Sequence, residues 1–233
     1  MGARTQDDVE TLRQAVRRNL AATLRYLGHH GYQYGLAGHA TVRDPGEDER
    51  YWVNPAGVPF AAVRPADLVL VDAAGEIVAG DHGVSGFQSQ LEVHRARPDL
   101  VAGLHVHSEH TFAWSSAGGL LDPLTTDSAW LQPVQALRDS FDQPITDAIG
   151  QTARVVIQRS HGAVAFGATV AEAAFYLVSV ERAARTQLLL EAAGRAQRID
   201  PALLEKWRLT PEAAHRQFQG VLDHWVAVEE GTA

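Results

Sequence analysis

The residues best suited to chemistry are two histidines in the stretch Leu104-His105-Val106-His107-Ser108-Glu109-His110. Its run-in, Leu100-Val101-Ala102-Gly103-Leu104, is short and apolar, and Pro98-Asp99 bounds it. That pattern predicts a buried strand. Alternate side chains of a strand share a face. His105 and His107 therefore project together, with Val106 buried behind them. Two imidazoles one pleat apart can bind one cation, and imidazole suits zinc, iron, cobalt or nickel. On these residues alone, the pair fits equally a surface pair or a satisfied core pair.

Composition narrows the partners. The chain has 233 residues, enough for one large domain or two small ones. Hydrophobic residues make up 45% and charged residues 21%, the balance of a soluble globular protein. A net charge of −8 argues against a nucleic-acid partner. With no cysteine, disulfides and thiolate sites are excluded, and a metal must use His, Asp or Glu. No apolar run approaches the roughly 18 residues that span a bilayer. The start, Met1-Gly2-Ala3-Arg4, lacks an apolar signal core, and Gln6 stands where a myristoylation signal needs Ser or Thr. The expectation is a soluble cytoplasmic protein with neither membrane nor nucleic-acid partner.

The elements that must position the histidines follow from spacing. Val9, Leu12, Val16, Leu20, Leu24 and Leu27 predict a first amphipathic helix ending near Gly28. From Tyr32 to Asp81 short strands alternate with turns: His39 to Arg43, Tyr51 to Val53, Leu68 to Val71 and Glu76 to Val78, an antiparallel meander. Ser85 to Arg97 reads as a helix stopped by Pro98. After the histidine strand come a short helix over Thr111 to Ala117, a strand at Val155-Val156-Ile157, the turn Ser160-His161-Gly162, and a returning strand at Ala163 to Phe166. Thr169-Val170-Ala171-Glu172 is a capping box opening a long helix to about Ala193. Asp200-Pro201 and Thr210-Pro211-Glu212 open two further helices. The sum is one α+β domain over residues 1–233, a central mostly antiparallel sheet covered by helices, with a helical extension at about 200–230.

These segments, in this order, resemble the class II aldolase/adducin-head family, in its bacterial adducin-like subgroup. The matching stretches are Gly38 to Arg43, Asn54-Pro55-Ala56-Gly57, Asp67 to Asp72, Ala96-Arg97-Pro98-Asp99, His105-Val106-His107-Ser108 and Ser160-His161-Gly162. The resemblance implies a three-layer class II aldolase-like fold. It also implies one divalent ion per chain (zinc, manganese, cobalt or iron) on His105, His107 and His161. Three neutral imidazoles would leave an open coordination position. Family enzymes are typically homotetramers with sites near subunit interfaces. The apolar positions Phe218, Val221, Leu222, Trp225 and Val226 offer a surface for such assembly.

The chain departs from the sugar-phosphate aldolases. Those carry a Ser-Glu pair whose glutamate is the acid/base; counting back from Arg97, this chain has Ser85-Gly86. Gly86-Phe87 matches the Gly-Phe of adducin-like members, although those commonly have histidine where Gln90 stands. The loop Asn54-Pro55-Ala56-Gly57 has no hydroxyl to hold a phosphate. Glu109 and Asp127 are the first candidate acid/base residues, and His110 after the histidine strand, His82 in the loop before the Ser85 helix and His39 in the Gly-His turn are the others. His39, Asn54 and Ser85 are the candidate substrate-binding residues. The expected activity is a divalent-metal-dependent carbon–carbon lyase acting on an unphosphorylated carbonyl or hydroxy acid. Decarboxylation and retro-aldol cleavage share one demand, stabilising an enolate. The alternatives are an iron-dependent oxidative decarboxylase or oxygenase on the same fold, and a non-catalytic adducin-like interaction module. Retention of all three histidines argues against the last.

Overall fold

Strands β1 (His39–Arg43), β2 (Arg50–Val53), β3 (Val69–Asp72) and β4 (Ile77–Ala79) form the expected antiparallel meander. At its tightest turn Asp72 Oδ1 accepts from the amides of Ala74 and Glu76, both at 2.9 Å. β5 (Ala102–Val106) pairs with β1, β8 (Gly162–Gly167) with β5, and β7 (Val155–Gln158) with β8, all antiparallel. β6 (Gln135–Arg138) adds a parallel edge, completing an eight-stranded sheet of order β4-β3-β2-β1-β5-β8-β7-β6. The computed structural model describes residues 5–232. The start Met1-Gly2-Ala3-Arg4, read above for targeting signals, lies outside the described residues.

Alternation along the strands sorts the side chains into two cores. Ala40, Val42, Ala102, Leu104, Val106, Ala163 and Ala165 join the larger one. It is closed by α1 (Gln6–His29), α6 (Val170–Ala192) and α8 (Pro211–Glu230). Side chains of the opposite sheet face, among them Tyr51, Val53, Val156, Val164 and Phe166, pack under α2 (Gln88–Ala96) and α5 (Ile145–Ile149). The result is three layers. α6 is apolar on most of its circumference because the sheet, α8 and α3 (Glu109–Ala117) all press on it. Thr169 Oγ1 accepts from the Glu172 amide at 3.1 Å, one half of the expected capping box, whereas the Glu172 carboxylate accepts from the Ala168 amide at 2.7 Å rather than from Thr169.

The structure departs from the sequence reading in three places. The second helix begins at Gln88 rather than Ser85, because Gly86 has φ +83°, outside a right-handed helix. Residues 126–149 contain α4 (Thr126–Leu131), β6 and α5, none of which the sequence reading resolved. The apolar face of α8 is also largely consumed within the chain. Phe218 and Leu222 are buried, and each such side chain contributes about 1.5–3 kcal/mol on leaving water. Trp225 stacks on His29 with ring centroids 5.0 Å apart. The last helix, α8, is preceded by α7 (Pro201–Lys206), capped by Asp200. No helix among the described residues is long and apolar enough to cross a membrane.

Candidate metal centre

The sheet face under α2 carries the histidines. Ala102, Leu104 and Val106 commit one face of β5 to the larger core, so His105, and His107 just beyond the strand, turn to the other. His105 Nδ1 lies 2.8 Å from the carbonyl oxygen of Ala163 on β8. That carbonyl can only accept, so Nδ1 holds the proton and Nε2 keeps its lone pair. His105 Nε2 is buried without a partner. The turn entering β8 delivers the third ring: His161 lies between Ser160 at φ +56° and Gly162 at φ +91°. Its ring is 5.0 Å from His105 and 4.8 Å from His107, centroid to centroid. One nitrogen of each ring lies within 4.8 Å of the other two.

Burial pushes all three imidazoles below the ordinary histidine range, His105 furthest, with neighbouring rings adding to the effect at His105 and His161. They are neutral at neutral pH, the state that ligates a cation. An orphaned buried nitrogen aimed among two others is costly in a protein with nothing to satisfy it. The donor set therefore fits a divalent ion of the kind imidazole prefers, with coordination positions left open. Among the described residues no carboxylate joins this grouping.

His39 belongs to the same cluster. The register of β1 on β5 sets it opposite His105, ring centroids 4.8 Å apart. Burial, and then the charges His161 and His107 could carry, lower its pKa to about 4. Gly86 lies against it: a Cβ there would sit 2.9 Å from His39 Cδ2. The imidazole of His39 thus fills the space a side chain at position 86 would enter. Two exposed aromatic rings border the triad, Phe112 at 5.5 Å from His107 and Phe141 at 5.1 Å from His161.

The other sequence-selected residues lie elsewhere. Asn54 Oδ1 accepts from the Ala40 amide at 2.8 Å, bracing β1 next to His39. Ser85 is exposed beside Gly86. His82 Nε2 is 3.9 Å from Asp67. Glu109 opens α3 and lines a groove of about 480 Å³ with Tyr26, Tyr32 and Arg185, a groove that includes none of the three triad histidines. Asp127 is held at 2.8 Å by Arg182, which lines the same groove. Sequence reasoning missed Glu181 on α6. Its Oε1 accepts from His110 N at 3.1 Å and lies 2.7 Å from His110 Nδ1, while its Oε2 accepts from Thr111 N at 2.8 Å and Thr111 Oγ1 at 2.7 Å. Burial raises its pKa, but hydrogen bonds from Ser108, Thr111 and His110 outweigh that and hold it below the usual glutamate range. It supplies the acceptors that α3 lacks from its own cap, since Ser108 makes no side-chain bond to the helix.

Comparison with known proteins identifies the family. The chain is 35% identical over 209 residues to the Meiotically up-regulated gene 14 protein of Schizosaccharomyces pombe, covering 84% of this chain and 81% of that one. It is 34% identical over 191 residues to Decarboxylase NovR of Streptomyces niveus, covering 77% and 71%. The structure of L-fuculose 1-phosphate aldolase from Glaciozyma antarctica PI12 superposes with a TM-score of 0.90 at 29% identity, over 99% of this chain and 95% of that one. Residues 18–188, which hold the sheet and all three histidines, match the class II aldolase and adducin N-terminal domain. By sequence and by fold, the chain belongs to that family.

Proposed function

We propose that the chain is a cytoplasmic, divalent-metal-dependent carbon–carbon lyase acting on an unphosphorylated carbonyl or hydroxy acid, by decarboxylation or retro-aldol cleavage. One observation carries this reading: three neutral imidazoles converge, and the buried Nε2 of His105 has no other partner. A zinc, manganese, cobalt or iron ion held by His105, His107 and His161 would supply Lewis-acid stabilisation of a substrate oxygen that gains charge as a carbon–carbon bond breaks. The Ala163 carbonyl fixes the His105 ring in the tautomer that ligation requires. His39, beside His105, is the candidate to hydrogen-bond the substrate. Phe112 and Phe141 give the approach an apolar border that suits an organic acid better than a polyol phosphate. Glycine at 86 and the hydroxyl-free loop at 54–57 point the same way. The names of the relatives, a decarboxylase and an aldolase, support the lyase class.

Glu109, on the groove that includes none of the triad histidines, and Asp127, held by Arg182 of that groove, are the acid/base positions to test, and neither stands within the histidine cluster. The working form is taken as a homotetramer, which light scattering checks; Tyr34 and Leu36, 79% and 56% exposed, offer apolar surface for it. The function is tested on tag-free protein by metal analysis, then by screening hydroxy and keto acids for carbon dioxide or aldehyde release with and without oxygen. We expect about one metal per chain and activity abolished by His107→Ala. A protein that gains neither metal nor stability from zinc, manganese, cobalt or iron refutes the reading.

A further inference from the structure

The third histidine of the triad is carried by a turn, and the turn is held from one residue of α3. The main-chain oxygen of Ser115 accepts from Ser160 N at 3.0 Å. Its Oγ accepts from Gly162 N at 2.9 Å while donating to Phe112 O at 2.8 Å. The residues on both sides of His161 are therefore pinned to the same side chain and peptide, 47 positions away in sequence from Gly162. Ser115 is fully buried, so these bonds have no competition from water. The turn needs such holding. Ser160 is the one non-glycine with positive φ among the described residues, a conformation kept only where the surroundings over-determine it.

The far end of the same helix is fixed as well. α3 begins two residues beyond His107, and Glu181 gathers its first amides. One short element thus runs from just beyond His107, at the end of β5, to the turn that bears His161. A buried helical serine often bonds only to a carbonyl of its own helix. The exposed neighbour Ser116 does that, to Phe112 O at 3.1 Å. Ser115 differs in also accepting from the ligand-bearing turn.

We propose that Ser115 is a positioning residue that sets the distance of His161 from His105 and His107, and so the affinity of the triad for a divalent cation. The proposal rests on the reading of the triad as a metal site. It is tested by titrating the full-length protein with zinc against a chromophoric chelator, and by recording the visible bands of the cobalt-loaded form. Ser115→Ala is expected to weaken zinc binding about 10–100-fold, the range for residues that orient ligands, and to alter the cobalt spectrum. Ser116→Ala is expected to leave both unchanged. If Ser115→Ala does not fold, Ser115→Cys, with similar volume and a poorer acceptor, carries the test and should bind zinc more weakly than the native chain. Native-like zinc affinity and cobalt bands in the folded Ser115 variant overturn the positioning role and leave the metal reading standing. Failure of the native protein to bind zinc or cobalt overturns both.

Discussion

His94 gives the sharpest test of the physical reasoning, because it is buried, titratable and away from the triad. Its ring on α2 is fully buried, stacked on Tyr51 at 5.3 Å. Nδ1 lies 2.7 Å from the Leu100 carbonyl oxygen, and Nε2 lies 2.7 Å from Thr41 Oγ1. Burial lowers its pKa and the Arg43 charge adds to that, against the Leu100 carbonyl; the net value is about 4. The perturbation is a fall in pH. Above the unfolded value of about 6.5 neither state holds the proton. Below it the unfolded chain takes up a proton that the native chain refuses, so stability falls until the pH passes the folded value and then levels off. The full loss is about 3 kcal/mol, and about 2 kcal/mol of it is reached by pH 5. His39 and the triad titrate in the same direction, so the His94 part must be taken by difference. Urea unfolding of the native chain and of His94→Gln, in chelator at pH 7 and pH 5, measures it. The native chain should lose about 2 kcal/mol more than the variant between the two pH values. An equal loss in both, or a His94 ring that titrates near 6.5 by NMR in the folded protein, refutes the argument.

Two further outcomes follow from the packing. Gly86→Glu should destabilise the fold by about 1–3 kcal/mol, because a side chain at φ +83° is strained and meets the His39 ring, and it should not improve the native reaction. Part of that cost should return in Gly86→Glu with His39→Gly, which a double-mutant cycle by urea unfolding reads as non-additivity. Glu181→Gln should cost about 1–3 kcal/mol, since an amide nitrogen replaces one acceptor among donors. The native glutamate, with its pKa depressed, contributes stability above the unfolded value that is lost as pH falls through the folded one; this variant should flatten that part of the acid-unfolding profile.

Much of this site was legible because strand alternation is a local signal. Val106 between His105 and His107, and the Pro98-Asp99 stop, are enough to set both rings on one face. The caps of α6, α7 and α8 are legible for the same reason. What escaped the sequence depends on distant partners. β6 is only partly buried and pairs in parallel, so its residues show neither clean alternation nor a continuous apolar run. α2 starts later than its pattern suggests because Gly86 takes φ +83°, and the lack of a side chain there leaves room for His39, a neighbour set by sheet register. Glu181 reaches α3 from 71 positions away, and no local pattern distinguishes it from a solvated helix carboxylate. Ser115 looks like any helical serine until the turn at 160–162 is folded against it.

The way the triad is divided between two segments has a consequence for folding. His105 and His107 stand at the end of β5, whereas His161 precedes β8, beyond α3, α4, β6, α5 and β7 in the chain, and joins them only through the pairing of β8 with β5. An ion gripped by all three rings closes a long chain loop, as a disulfide does in chains that carry cysteine. In this cysteine-free chain such a closure is reversible, set by free metal and by pH rather than by redox state. It ties together contacts of high sequence separation, which form late on the way to the native state. Loading would therefore act chiefly by slowing the escape of β8 from β5, lengthening the life of the folded protein more than it hastens its formation.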